Sequence, residues 1–468
     1  MSRWALPTAL FCVVASVYAL TVSTNPSPDA FTADFAAWHI ARTGDPVPDI
    51  SDFPMLDHNI IRETWIVTTA DEREAVGRAP GVIAAAVPAY LLLPSATISA
   101  VPGGLMAALL SAVAVTLFFL LLRDRTGSRT ALIAALLLAF ATPVWSVAAD
   151  AMWPHTLTTL GIVGMAWSAA RSADRRRWWL VGLFGGLALW GRLHAAIICA
   201  VLGVGTSMSR RLPGLAARAG ATALLSLALM AGWTRWMYGS WDPRSGYRAG
   251  DFGGHALDLP NYLGFVLSAD RGLLWWCPLL VLLLPAAWRN RHELPDWARW
   301  LAVGGVTYLL SQAVLNRFSG GDQFYGYRTS LELVVSLAPA LALSAHRLTD
   351  RARRWFTPLA VLQVALIAPG AMVDGFHSPV ADVWWRNAFL DAWWSRPLEM
   401  LPLAVVALLG ALFAVHVLKG GWMGRLLEAD APSPHETRHP HGGTHVPDTR
   451  PDHPVHRARP HDRPHRPR

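Results

Sequence analysis

Long apolar stretches, separated by short polar ones, dominate the pattern of this chain. Most approach the roughly 20 residues that an α-helix needs to cross the hydrocarbon core of a bilayer. A helix also satisfies its own backbone hydrogen bonds where water is absent. The pattern therefore predicts an all-α, polytopic membrane protein of about twelve transmembrane helices with a long first extracytoplasmic loop. The predicted spans are residues 4–22, 101–122, 130–147, 151–170, 178–191, 193–208, 218–238, 272–288, 298–315, 329–345, 356–373 and 398–418.

Composition supports a membrane protein. Hydrophobic residues make up 53% of the 468 residues and charged residues only 15%, with a mean hydropathy of +0.32. Soluble domains carry about 25% charged residues. The first segment, 4–22, could be a signal peptide, but no small-residue cleavage site closes it, so we expect an uncleaved first span.

Short arginine-rich loops predict the orientation. Positive charge beside a span favours the cytoplasmic side and anionic lipid, so the net charge of +8 does not indicate nucleic-acid binding. Both termini are then cytoplasmic, in a plasma-membrane protein. Segments 178–191 and 193–208 are predicted as two short helices, since one long tilted helix would invert everything downstream. The arginine-rich loops are RDRTGSR after Leu122, RSADRRR from Arg171, Arg210–Arg211, WRNRHE from Trp288 and HRLTDRARR from His346.

Four external stretches remain for chemistry: residues 23–100, 239–271, 316–328 and 374–397. The first is the longest and contains an apolar run, 81–93, of the length of an interfacial or re-entrant helix. Residues 1–428 form the predicted transmembrane domain. Residues 429–468 are rich in proline, histidine and arginine and are expected to be a disordered cytoplasmic tail.

The external stretch 23–100 opens with an acidic segment, PDAFTADFAAWHIARTGD from Pro28. Its apolar residues recur near helical spacing, which predicts an amphipathic helix on the membrane surface, starting at Pro28 and ending at Gly44. Asp29 and Asp34 are candidate catalytic residues, because an ionised carboxylate can deprotonate an acceptor hydroxyl. The alternative is that Asp29 only favours the helix dipole.

Arginines at the outer boundary form a second group: Arg192, Arg244, Arg248, Arg271, Arg317 and Arg328. Arginine binds phosphate through a planar fork, and Arg192, Arg271 and Arg328 are the candidates for a lipid phosphate. The alternative is snorkelling, or pairing with Asp251, Asp270 or Asp322. Asp150 and Trp153 lie at the outer turn before His155. The candidate substrate-binding residues are His58, His155, His194, Tyr247, Arg248, Asp322 and Tyr327.

Several reaction classes are excluded by missing motifs. The sequence has no P-loop, no G-x-S-x-G, no H-E-x-x-H and no dinucleotide fingerprint. The predicted cytoplasmic loops are also too short to fold a nucleotide-binding domain. An enzyme of this kind would have to take an activated substrate that the membrane delivers.

The arrangement of a first span followed by a long acidic external loop resembles the GT-C superfamily of membrane glycosyltransferases. The closest likeness is to the protein mannosyltransferase and aminoarabinose-transferase type. Asp29 and Gly44-Asp45 match the family's acidic and Gly-Asp positions, while Ala30 replaces the usual Glu and Asp34 is its partial substitute. Three further segments are similar: GRAPGVIAAAVPAYLLLP from Gly77, SADRGLLWWCPLLVLLLP from Ser268 and GGDQFYGYRTSLELVVSLAP from Gly320.

The resemblance implies a polyprenyl-phosphate-linked sugar as donor and an extracytoplasmic glycan, lipid or protein hydroxyl as acceptor. The reaction would invert the anomeric centre, with Asp29 as base and Arg192, Arg271 and Arg328 holding the departing phosphate. A small apolar cavity near the interface would take the prenyl chain. Arabinose and mannose are the sugars that fit an actinobacterial source, and a divalent metal stays open because superfamily members differ in using one.

Two other functions remain open: a transporter or flippase for a lipid-linked saccharide, and a structural membrane subunit. A flippase would use the same arginines but would not need a long folded first loop, and we find no internal repeat of the kind common in transporters. A cavity that Asp29 shares with outer-boundary arginines would favour the glycosyltransferase over the flippase and the structural subunit.

Overall fold

The computed structural model describes residues 4–56, 59–171, 175–247, 253–321 and 323–419. The predicted tail, 429–468, and the candidates His58, Arg248 and Asp322 lie outside the described residues. The helices are α1 Ala5–Leu20, α2 Pro28–Thr43, α3 Asn59–Trp65, α4 Pro80–Leu92, α5 Val101–Thr126, α6 Ser128–Phe140, α7 Pro154–Ala170, α8 Trp178–Gly191, α9 Ala196–Arg210, α10 Gly214–Tyr238, α11 Leu259–Leu267, α12 Leu273–Trp276, α13 Leu280–Asn290, α14 Asp296–Leu315, α15 Leu331–Leu343, α16 Asp350–Met372, α17 Ala388–Ser395 and α18 Pro397–Lys419.

The all-α architecture is confirmed, and every predicted span overlaps a helix. Two predicted spans are interrupted at prolines, which lack the backbone N–H that a continuous helix requires. The span 130–147 divides at Pro143 into α6 and a π-helical turn, Val144–Ala148, and the span 272–288 divides at Pro278. Within the described residues, four helices are long and apolar enough to cross a membrane, so the number of spans stays a prediction.

The predicted turn between the spans 178–191 and 193–208 is present. Helix α8 ends at Gly191, Arg192 is extended (φ −146°), and a 3₁₀ turn, Leu193–Ala195, leads into α9. A Cβ at Gly191 would meet the carbonyl oxygen of Pro154, at the start of α7. The close approach of α8 to α7 therefore brings Arg192 beside the first turn of α7.

The first external loop folds as α2, a 3₁₀ turn Ile50–Asp52, α3, a two-stranded antiparallel hairpin and α4. In the hairpin, Ile66–Thr68 (β1) pairs with Glu74–Val76 (β2), with Ile66 opposite Val76. The apolar run predicted as an interfacial or re-entrant helix forms α4. Several layers of backbone therefore cover the ends of the spans.

Helix α2 starts and ends where the sequence predicts, with Pro28 in its first turn and Gly44 in the left-handed conformation (φ 76°). Nine of its sixteen residues are buried, including Asp34 and Phe35, so other parts of the protein cover α2, and its predicted position on the membrane surface stays a prediction. Phe35 packs edge-on against Phe53 at 4.9 Å between ring centroids. Alanines lie between the larger residues of α2, and their short side chains let α4 and α5 pack closely against this helix. Helix α2 therefore lies in the interior of the protein.

The contact between α2 and α5 predicts an effect of Gly103. A Cβ at Gly103 would collide with the carboxylate of Asp34, which is 0% exposed and has no room to move. Gly103→Ala should lower the free energy of unfolding by about 1–3 kcal/mol, the usual cost of overpacking. Thermal unfolding of the detergent-purified protein measures it. Gly220→Ala is the matched control because no atom lies within 4 Å of its Cβ, and equal stability of the two variants would contradict the packing described here.

Candidate functional site

Asp29, in the first turn of α2, lies between two arginines from distant parts of the chain. Its Oδ2 accepts a hydrogen bond from Nη1 of Arg328 (2.7 Å), and its Oδ1 accepts one from Nη1 of Arg78 (3.2 Å). Arg78 precedes α4, whereas Arg328 opens the 3₁₀ turn before α15. The Asp29 side chain is 17% exposed, so a substrate can reach it.

The two arginines decide the charge of Asp29. Burial alone would raise the pKa of Asp29, but the guanidinium groups of Arg78 and Arg328 outweigh burial and hold the pKa below its usual value. The carboxylate is therefore ionised at neutral pH, which is the state a general base requires.

Aromatic rings and a glycine turn hold Arg328. Its guanidinium lies over the ring of Phe324 at 4.2 Å and over that of Trp153 at 4.5 Å from the centroid. Its Nη2 donates to the carbonyl oxygen of Gly320. Gly320 and Gly321 both have positive φ (62° and 100°), a conformation that favours glycine. The turn at Gly320 and Gly321 therefore brings the backbone of this loop next to the guanidinium of Arg328.

Arg192 is anchored by several side chains. Its Nη1 donates to the hydroxyl of Tyr308 (3.1 Å) and to Oε1 of Gln312 (3.3 Å), both on α14. Its Nη2 lies 3.1 Å from Nε2 of His155, and its Nε lies 4.0 Å from Oε1 of Glu332. Contacts to α7, α14 and α15 therefore fix the direction of this guanidinium.

Glu332 is the buried acid behind Arg192. Its Oε1 accepts hydrogen bonds from Thr158 Oγ1 (2.8 Å) and pairs with Nδ1 of His155 (2.8 Å), and both Glu332 and His155 are 0% exposed. A guanidinium can only donate, so Nε2 of His155 accepts from Arg192. Nδ1 then carries the proton, and His155 is a neutral link between Glu332 and Arg192.

Arg192 and Arg328 line one cavity of about 350 Å³, together with the exposed Arg317. Asp29 is joined to this basic cavity by its hydrogen bond to Arg328, which lines the cavity. Among the described residues, Arg78 adds a fourth positive charge, and Asp29 and Glu332 supply two negative ones. The four arginines and the two acids together leave an excess of two positive charges around the basic cavity. The other residues that line the basic cavity are Gln312, Asn316, Ser319, Gly320, Gly321, Thr329 and Val380.

Arg271 is not among the residues that line the basic cavity. Its predicted contact with phosphate stays a prediction. Arg271 is 0% exposed; its Nη1 donates to the carbonyl oxygen of Phe324 (2.8 Å) and lies 3.2 Å from Oδ2 of Asp270. Its guanidinium also stacks on the Phe324 ring at 3.8 Å. Arg271 therefore supports the ring on which Arg328 rests.

The other described candidates are divided between the site and the core. His194 stacks on Tyr308 (4.7 Å), and Tyr247 interacts electrostatically with Arg78 and Arg192. Tyr327 is 0% exposed. Asp34 is also fully buried, and neither of its oxygens has a hydrogen-bond partner, since the nearby Tyr90 hydroxyl donates to the Ser99 carbonyl oxygen (2.8 Å).

Sequence reasoning missed Arg78 and Glu332. Arg78 stands in the segment GRAPG, whose resemblance to the family does not by itself mark a ligand. Glu332 is a single acid in an otherwise apolar span, and an ionisable residue in a span is by default a functional candidate. That signal could have found it.

A second cavity, of about 340 Å³, is almost wholly apolar. Residues of α6, α13, α15 and α16 line it, including Leu137, Leu283 and Leu341, and one end reaches Cys277 and Gln363. Cys277, between α12 and α13, packs in the same buried apolar cluster as Tyr327, the neighbour of Arg328 in the chain. Helix α15, which lines the apolar cavity, directly follows the turn that Arg328 opens, so the cavity and the site share one segment of the chain. In the part of the chain that the structure describes, no three His, Cys, Asp or Glu residues are grouped to hold a metal ion.

Comparison with solved structures places this fold. ArnT from Cupriavidus metallidurans in the apo state is similar with a TM-score of 0.51 and 15% identity, over 90% of this chain and 73% of that chain. The Archaeoglobus fulgidus oligosaccharyltransferase, complexed with Zn and sulfate, gives a TM-score of 0.46 and 14% identity over 79% of this chain and 54% of that one. This chain therefore shares the fold of the ArnT structure. No protein-family model and no curated protein matches the sequence.

The buried carboxyl group of Asp34 predicts a pH-dependent stability. Burial raises the pKa of Asp34 well above its usual value. The folded protein therefore binds this proton more tightly than the unfolded chain does, and stability falls as pH rises above about 3.9, the pKa of an unfolded aspartate. Asp34→Asn, which does not titrate, should unfold at a higher temperature than the parent at pH 7.5, with the difference shrinking towards pH 4.5.

Thermal unfolding across that pH range is the measurement. Asp49→Asn is the control, because hydrogen bonds from Ser51 lower the pKa of the exposed Asp49 and its difference from the parent should therefore stay constant above about pH 4.5. A parent protein as stable as Asp34→Asn at every pH would show that Asp34 is not held in an apolar environment.

Proposed function

We propose that this protein is a membrane glycosyltransferase that moves a sugar from a polyprenyl-phosphate donor to an acceptor hydroxyl outside the cell, with inversion. One observation carries the proposal. The carboxylate of Asp29 is bonded to Arg328, and Arg328 lines a basic cavity with Arg192. A candidate base and two candidate phosphate ligands thus occupy one site at the ends of the spans.

The reaction follows from these groups. Asp29 takes the proton from the acceptor hydroxyl, whose oxygen forms the new bond to the anomeric carbon. The bond from that carbon to the phosphate oxygen breaks, and the electron pair leaves with the prenyl phosphate. The phosphate changes from a singly charged diester to a doubly charged monoester. Among the described residues, the excess of two positive charges around the basic cavity matches the leaving group better than the donor.

Arg328 has two partners in this scheme. Without donor it bonds to Asp29, and a donor phosphate competes for the same guanidinium. As the phosphate draws Arg328 away, less positive charge stabilises the carboxylate and its proton affinity increases. Donor binding therefore prepares the base, and Asp29 becomes effective when the phosphate is in place.

The apolar cavity supports a prenyl donor. Its lining offers the aliphatic contacts that a polyprenyl chain requires, and α15, which lines it, follows the turn that Arg328 opens. The acceptor would be a cell-envelope glycan, lipid or protein, and arabinose or mannose would be the sugar transferred. We place the active site on the outer face of the plasma membrane, as the arginine-rich loops predict.

The first test is Asp29→Asn, which keeps size and polarity but cannot take a proton. Turnover should fall by roughly 10²–10⁴-fold, the usual contribution of a general base, while donor binding is retained. Membranes are incubated with a panel of polyprenyl-phosphate sugars, and release of polyprenyl phosphate is scored. The control is Asp52→Asn, an exposed carboxylate in the same external loop. A parent that transports the donor across the bilayer without releasing polyprenyl phosphate is a flippase.

The second test concerns the phosphate ligands. Arg192→Ala and Arg328→Ala should each weaken the binding of farnesyl phosphate by about 1.5–3 kcal/mol, the value of a hydrogen bond to a charged group. Lysine at either position should restore only part of it, because it lacks the planar fork. Calorimetric titration measures the affinity.

Arg244→Ala provides the matched control, since Arg244 is exposed and bonded to Asp242 (2.8 Å) in another external stretch. Thermal unfolding of each variant shows whether it is folded. If farnesyl phosphate binds equally to the parent and to both folded alanine variants, the basic cavity is not the donor site.

A further inference from the structure

A third cavity, of about 490 Å³, lies beside the first turn of α2. Pro28 and Phe31, which flank Asp29 in the chain, line it. Trp153 and Phe324 line it as well, and the same two rings stack on Arg328 of the basic cavity. These two rings therefore contact both the third cavity and Arg328, the candidate phosphate ligand that is bonded to Asp29.

The charge of the third cavity is opposite to that of the basic one. Asp150 and Asp374 line it, and His377 is the basic side chain among the described lining residues. Burial and the neighbouring Asp374 raise the pKa of Asp150 well above its usual value, so the negative charge of this cavity lies on Asp374. Asp374 is held in place by Ser23 Oγ (2.5 Å) and by the backbone N–H groups of Thr24 and Asn25 (3.2 Å each). Arg396 packs on the outer ring Phe376 (5.0 Å) and does not line the cavity. An anionic ligand is therefore disfavoured here.

The Ser146 hydroxyl is an independent sign of a ligand. Ser146 is 5% exposed, lines the third cavity and finds no hydrogen-bond partner for its hydroxyl among the described residues. A buried hydroxyl without a partner costs free energy, which a ligand hydroxyl would recover. Ser146 also belongs to the π-helical turn Val144–Ala148, and such turns occur frequently at functional sites.

The lining suits a carbohydrate. Aromatic rings provide flat surfaces for the C–H faces of a sugar ring, and short polar side chains provide donors and acceptors for its hydroxyl groups. A lipid chain would leave these polar groups unpaired. The aromatic residues are Phe31, Trp153, Phe324 and Phe376, and the polar ones are Ser23, Asn25, Ser27, Ser146 and Gln323.

We propose that the third cavity binds the acceptor, and that the acceptor is a carbohydrate with no negative charge near its reactive hydroxyl. The proposal rests on the function proposed above and names its substrate class. Inversion requires the acceptor to approach the anomeric carbon from the side opposite the leaving phosphate. A separate acidic cavity, two of whose aromatic rings stack on Arg328, provides that second approach, and the Asp374 carboxylate in it disfavours phosphorylated or uronic sugars.

Saturation-transfer NMR on the protein in nanodiscs tests this with free sugars. The probes are arabinose, mannose and galactose, with galactosamine and galacturonate as charged counterparts of galactose. At least one neutral sugar should bind, galactosamine should bind as well as galactose or better, and galacturonate should bind at least tenfold more weakly. Ser146→Val should weaken binding of the neutral sugar about tenfold or more and leave farnesyl phosphate binding unchanged.

Ser168→Val is the matched control, because the Ser168 hydroxyl is also buried without a partner but lines none of the three cavities. Asp374→Asn provides a second variant, in which galacturonate should gain on galactose because the negative charge of the cavity is removed. The proposal is overturned if no neutral or amino sugar binds, if galacturonate binds like galactose, or if folded Ser146→Val binds sugar like the parent. Failure of farnesyl phosphate to bind, with Ser146-dependent sugar binding intact, would instead reject the donor site alone.

Discussion

The ion pair between Asp29 and Arg328 joins the first external loop to the segment that enters a late span, across 299 residues of chain. Both side chains are largely removed from water, so each needs the other, because a buried charge without a partner is costly. Helix α2, Arg78 before α4 and the turn before α15 must therefore be placed together. The geometry of the candidate site depends on this pair.

A second buried ion pair, between Arg192 and Glu332, holds Arg192 in place in the same way. Glu332 compensates the positive charge from within α15, and neutral His155 connects the two. The arrangement uses three helices to hold one guanidinium, and none of its groups needs bulk water. Two arginines from different layers of the protein thereby face one cavity, each with its own acid, and the acid of Arg328 is the one that a substrate can reach.

The basic cavity and the third cavity differ in the charged side chains that line them. One is lined by arginines and the other by Asp150 and Asp374, with Trp153 and Phe324 contributing to the acidic cavity and stacking on Arg328. Aromatic rings suit this position because their faces attract the guanidinium and exclude water. A reaction that needs an anionic leaving group on one side and a neutral nucleophile on the other can use such a division. The buried Arg271 stabilises it by packing on Phe324.

The sequence by itself determined the all-α membrane architecture, the bounds of α2 and the turn after α8. Hydrophobic length, a proline in the first turn and a glycine at the end are local signals, and a helix is a local structure. It also pointed to Asp29, Arg192 and Arg328. Tertiary structure alone decided that Asp29 pairs with Arg78 and Arg328, that Glu332 supports Arg192, and that Asp34 and Arg271 are enclosed. Residues far apart in sequence make those contacts, and whether a charged side chain lines a cavity or lies buried depends on helices packed against it from elsewhere in the chain.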